Sequence, residues 1–121
     1  MNRRAFERLV REALEGLPEE LLACMDNVDV VVEDWPTKDQ LVAQGMEDRY
    51  DLFGLYEGYP LTDREHYNMV LPDKISIFQR PIEACCRNPE EMVREVRITV
   101  AHEIAHHFGI DDERLEALGL G

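Results

Sequence analysis

The chain has little of what marks a secreted, membrane-spanning or nucleic-acid-binding protein. Among 121 residues there are only three cysteines, Cys24, Cys85 and Cys86. An odd count with one adjacent pair gives no disulfide framework. A lone vicinal pair is also a poor zinc site, so these thiols are read as buried or half-buried side chains without a chemical role. No stretch approaches the roughly 20 apolar residues that a membrane span needs. Basic clusters are missing too: 13 Lys and Arg stand against 26 Asp and Glu, for a net charge of −13. Such a chain repels phosphate backbones and anionic lipid, which removes nucleic acid and membrane surfaces from the expected partners. The opening stretch "MNRRAFERLVREALEGLP" begins basic but then carries Glu7, Glu12 and Glu15. Export and transit signals avoid acids, so the expected compartment is the cytoplasm. There is no internal repeat, low-complexity tract or linker, and the length fits one domain spanning residues 1–121.

What is present is an ordered series of periodic segments. Phe6, Leu9, Val10, Ala13, Leu14 and Leu17 follow the 3.6-residue period of an amphipathic helix. "VDVVVED" from Val28 is β-branched and reads as a strand partly buried on both faces. A short helix is expected after Pro36 and before Gly45, then a polar loop. "LFGLYEG" at Leu52 to Gly58 reads as a second strand. A long polar connection follows, broken by Pro60 and Pro72. "KISIFQR" alternates as a third strand and is expected to stop at Pro81. The clearest start signal is "NPEE": Asn88 can cap, Pro89 suits the first helical position and Glu91 sits three residues past the cap. That helix is expected to run to Phe108, with Gly109 ending it in a left-handed conformation, and a short helix should follow. The order implies an α+β fold, a small three-stranded sheet packed by helices; strand pairing is not readable from the pattern.

The chemistry gathers in "TVAHEIAHHFGIDDE", Thr99 to Glu113. His102 and His106 are one helical turn apart, about 40° around the axis and roughly 6 Å along it. Two imidazoles so placed can share one ion, and zinc takes nitrogen ligands at about 2.0–2.1 Å. Glu103 projects about 100° away from His102, where its carboxylate can reach a water without becoming a ligand itself. This is the HExxH arrangement. Catalytic zinc usually has three protein ligands. Gly109 can turn the chain back so that Asp112 supplies an oxygen, completing HExxHxxGxxD. Asp111 and Asp112 equally suit the cap and first turn of the following helix. His66 in the long loop, or water, is the alternative third ligand, and Tyr67 beside it is an alternative oxyanion stabiliser. His107 is read as packing or as a hydrogen-bond donor behind the ligands. Two histidines and one carboxylate also suit iron, so another divalent metal stays open beside zinc.

"LFGLYEGYPL", "LPDKISIFQRPI" and "VRITVAHEIAHHFGIDDERLEALG" together resemble a small bacterial family of zincin-like proteins with a minimal matrix-metalloproteinase-like domain. The resemblance implies a pared-down zincin fold with HExxH on the C-terminal long helix, and zinc-dependent peptidase activity on a peptide or protein. Larger metzincins carry a further subdomain and a methionine turn; here twelve residues follow Gly109 and none is methionine. Two functions therefore compete. One is a zinc metallopeptidase with Glu103 as general base, acting alone or with a homo-oligomeric or other protein partner completing the cleft. The other is a metal-binding or protein-interaction scaffold of little or no catalytic power.

Overall fold

The computed structural model describes residues 1–58 and 71–121. Its centre is a three-stranded sheet in the order β1-β3-β2. β1 (Val28–Glu33) runs parallel to β3 (Asp73–Phe78), with Val28 opposite Asp73 and Glu33 opposite Phe78. β2 (Gly54–Glu57) runs antiparallel to β3, with Gly54 opposite Ile77 and Glu57 opposite Lys74. The central position of β3 explains its composition: Ile75, Ser76, Ile77 and Phe78 are all buried, so this strand has two inward faces.

Six α-helices surround the sheet among the described residues: α1 (Arg3–Glu15), α2 (Glu19–Leu22), α3 (Lys38–Ala43), α4 (Gln79–Cys85), α5 (Pro89–Phe108) and α6 (Asp112–Ala117). On one face, Ile75 and Ile77 join Phe6, Leu9, Val10 and Ala13 of α1 and Val96, Val100 and Ile104 of α5. Each large apolar side chain so buried contributes about 1.5–3 kcal/mol before the entropic cost of ordering the chain. On the other face, Phe78 packs with Leu52 and Leu55, and with Leu41 and Met46 at the margin. α1 and α5 are locked by Arg97, whose Nε donates to the Ala13 carbonyl at 3.0 Å. Gly16 lies directly against that guanidinium, where a Cβ would collide.

The third strand is shorter than its alternation suggests. It ends at Phe78, and the residues expected to extend it begin α4. Pro81 sits in the first turn of that helix, where its missing N–H is tolerated. Gln79 breaks the strand pattern for a tertiary reason. Its buried side chain accepts from Arg3 Nε at 2.9 Å and donates to the Met1 carbonyl at 2.9 Å, so its polar atoms are satisfied by the N-terminal segment rather than by a sheet neighbour. The second strand is likewise trimmed to Gly54–Glu57.

Ser76 is the exception to this satisfaction. Its hydroxyl is fully buried and has no hydrogen-bond partner among the described residues. A buried unpaired hydroxyl costs stability that an alanine avoids. Ser76→Ala should therefore raise unfolding stability by about 1 kcal/mol, read as a higher urea midpoint at unchanged slope.

Candidate metal centre

The long helix α5 carries three of the candidate residues, and its ends are fixed by the signals in the sequence. Asn88 caps it, accepting from the Glu91 amide at 2.9 Å, and Pro89 opens the first turn. The Glu91 carboxylate reaches back to the Arg87 amide and guanidinium at 2.9 and 3.2 Å. Those bonds hold its pKa below the usual carboxylate value. At the other end Gly109 takes φ +74°, a left-handed conformation that glycine adopts without penalty. The chain then turns into α6. Asp111 is the cap of α6, its side chain accepting from the Arg114 amide at 2.9 Å. Asp112 is the first helical residue, so the cap belongs to Asp111. α6 is tied to α2 by Arg114, whose guanidinium donates to the Glu20 carboxylate at 2.9 and 3.1 Å. That hydrogen-bonded pair lowers the Glu20 pKa and raises that of Arg114.

The turn brings His102, His106 and Asp112 together: one donor atom from each lies within 4.8 Å of the others. His102 is half-buried; His106 and Asp112 are exposed. Ligands around a tetrahedral zinc at about 2.0–2.2 Å stand roughly 3.3–3.5 Å apart. The three donors thus need to close by at most about 1.5 Å, a movement within reach of two exposed side chains. Two imidazoles and a carboxylate are also the donor types that suit zinc. The residues present fit such an ion. His66 and Tyr67, the alternative ligand and oxyanion group, lie outside the described residues.

Glu103 leaves the helix on a different bearing and meets the sheet. Its Oε1 accepts from the Tyr56 backbone amide at 2.8 Å, while Oε2 accepts no hydrogen bond among the described residues. β2 is an edge strand, so alternate backbone groups face away from β3. Phe53 faces inward, accepting from the Phe78 amide at 2.9 Å, and Tyr56 faces outward by alternation. Tyr56 also places its phenol on Asp73 Oδ2 at 2.6 Å and stacks its ring on His107, with centroids 4.0 Å apart. His107 is therefore packed against the edge strand, away from the donor triad.

Sequence reasoning did not single out Tyr56. The available signal was the alternation of "GLYE", but which residues face outward depends on pairing with a strand far along the chain.

The strand can approach the helix because residue 54 is glycine. A Cβ there would lie 2.6 Å from Thr99 Cγ2 and 3.1 Å from the Ser76 carbonyl oxygen. Gly54→Val should push β2 off α5, costing about 1–3 kcal/mol and separating Tyr56 from Glu103. Zinc affinity should hardly change, since the three donors are all carried beyond the strand. Denaturant titration and a zinc competition assay on one preparation check both halves.

Beside Glu103 and His102 is an open cavity of about 250 Å³, walled by Met46, Leu52, Phe53 and Gly54 on one side and Ile98 and Thr99 on the other. A larger recess of about 440 Å³ lies at the far end of α5, between α1 and Pro89, Val93 and Arg97, but among the described residues no metal-binding donor set converges there. Chemistry, more than volume, favours the smaller one. No described helix is long and apolar enough to cross a membrane.

Comparison with known proteins agrees with this geometry. No curated protein matches the chain significantly. The profile of the zincin-like metallopeptidase family, however, matches residues 25–121, which include the whole sheet, the HExxH helix and α6. With so much of its length matched, and with three histidine and carboxylate donors gathered at the helix end, the chain belongs to the zincin-like metallopeptidase family.

Proposed function

We propose that this protein is a zinc-dependent peptidase, in which His102, His106 and Asp112 hold the metal and Glu103 is the general base. The observation that carries the reading is the different direction of Glu103. It stands on the same turn as His102 yet is anchored by a strand amide rather than joined to the donor triad. When bound, zinc supplies Lewis acidity toward the scissile carbonyl and lowers the pKa of a water to about 7.

The chain's own groups do the rest. The Tyr56 amide holds one Glu103 oxygen, which fixes the carboxylate plane and leaves Oε2 to take the proton of the attacking water. The same carboxyl then delivers that proton to the departing amine. The cavity lined by Leu52, Phe53 and Ile98 suits an apolar side chain next to the bond being cut. The outer edge of β2, apart from the Tyr56 amide that Glu103 occupies, offers backbone groups to an extended peptide, which would join the sheet as a further strand. A protein partner or second copy is the proposed source of a second cleft wall, and zinc is preferred over iron on the precedent of the family.

The test is zinc titration of chelator-stripped protein, followed by cleavage of an unbiased peptide library. One ion per chain and zinc-dependent cleavage are expected. A protein that binds zinc and cuts nothing would be the non-catalytic scaffold instead.

A further inference from the structure

Tyr56 touches α5 twice. Its amide donates to the Glu103 carboxylate at 2.8 Å, and its ring stacks on His107, with planes 20° from parallel. Glu103 and His107 are four residues apart, so they stand one above the other on the same helix face. One strand residue thus grips two successive turns of the helix. The ring has a third hold in its phenol, which donates to Asp73 Oδ2 at 2.6 Å. Tyr56 stands opposite Ile75 in the register of β2 with β3. Asp73, two positions before Ile75, is therefore the diagonal neighbour on the same sheet face, within reach of a long side chain. Asp73 is fixed in turn, because its backbone amide donates to the Asn27 carbonyl at 3.1 Å.

An edge strand is held by the sheet on one side only, so its outward amides belong to the less stable part of the fold. A general base must keep hydrogen-bond reach of its proton, and a misplacement of about 1 Å can cost about 100-fold in rate. We propose that the Tyr56 side chain, braced by Asp73, is a positioning device that keeps the strand amide on Glu103 and so aims the general base. The proposal rests on Glu103 being that base. Neither Tyr56 nor Asp73 belongs to the donor triad, so their loss should slow turnover rather than weaken zinc binding. The brace acts across three elements: Asp73 on β3 holds the ring, the ring sits on α5, and the amide of β2 follows.

The experiment combines steady-state kinetics on the zinc-loaded full chain with residue-resolved amide exchange. Tyr56→Phe loses the phenol bond but keeps a ring for the stack. Asp73→Ala removes the acceptor, while Asp73→Asn retains an oxygen that can accept. The first two should lower kcat by about 10–100-fold with KM nearly unaltered, and Asp73→Asn should recover most of that loss. In the same two variants the amide of residue 56 should exchange about 5–10-fold faster, the change expected when one hydrogen bond's worth of stability goes. The Leu55 amide faces β3 and should keep its wild-type rate. Added to Glu103→Ala, neither substitution should speed residue 56 further.

Unchanged exchange at residue 56 in a folded variant overturns the brace. So does equal acceleration at Leu55, or acceleration that persists on top of Glu103→Ala, because the ring would then steady the strand as a whole. Altered exchange with an unaltered kcat removes the aiming role. Circular dichroism confirms folding, and since the two substitutions are independent, one folded chain suffices. If the wild type cleaves no peptide, the peptidase reading fails on its own. The exchange pattern across the Tyr56, Asp73 and Glu103 variants still decides whether the ring positions that carboxylate.

Discussion

Glu103→Gln should bind zinc as the wild type does and lose peptide hydrolysis by about 10²–10⁴-fold, the range over which a positioned general base acts. The reason the metal should survive is geometric. The glutamine Oε1 can still accept from the Tyr56 amide, so the anchor between α5 and β2 persists, and no donor atom of the triad changes. What disappears is the proton acceptor. The loss should fall on kcat, with KM nearly unaltered, because the group acts in the transition state rather than on the bound substrate. Glu103→Ala gives a useful contrast. It removes the acceptor and also strips the Tyr56 amide of this partner, adding a stability cost of about 1 kcal/mol. Steady-state kinetics, metal analysis and denaturant titration on the three proteins separate these effects. A glutamine variant as fast as the wild type would remove Glu103 from the mechanism.

The second large effect concerns the donors. His106→Ala and Asp112→Ala should each weaken zinc binding by at least about 100-fold, beyond the usual cost of removing a partner from behind a ligand. Asp111→Ala is the internal control. It is adjacent, of the same residue type and on the same turn, but its carboxylate caps α6. Its loss should cost about 1 kcal/mol of local stability and leave zinc affinity within a few-fold of the wild type. Isothermal titration with zinc across the three variants makes the comparison. Equal losses for Asp111 and Asp112 would mean that the acidic turn attracts the cation only through its summed charge.

How much of this was legible in the sequence depends on how local each feature is. The boundaries of α5 were readable, because Asn88, Pro89 and Gly109 act on backbone within a few residues of themselves. The spacing of His102, Glu103 and His106 is a property of one helical turn and needed no tertiary knowledge. The strands announced themselves differently: β1 by β-branching, β2 by aromatic and aliphatic residues between glycines, β3 by alternation. Their pairing did not: β1 runs parallel to β3 by a register that joins residues far apart in the chain, Val28 with Asp73 and Glu33 with Phe78. Gln79 looked like the next step of an alternating strand, and only its contacts with Arg3 and Met1 explain why a helix starts there. The offset from Gly109 singled out Asp112 as the candidate donor, but that Asp111 caps the next helix depends on where the helix begins, which the two adjacent aspartates do not mark. Tyr56 meets Glu103 through a main-chain atom, which every residue has, so nothing in its side chain could mark that contact.

The proposed metal donors all come from one short stretch, residues 102–112, whereas the anchor of Glu103 reaches 47 positions along the chain. A hairpin-sized segment closes at little entropic cost, and a distant contact is lost first when the sheet loosens. As urea is raised, catalysis should therefore vanish at a lower concentration than cation retention does. Between the two midpoints the protein would be a competent chelator that has forgotten how to cut.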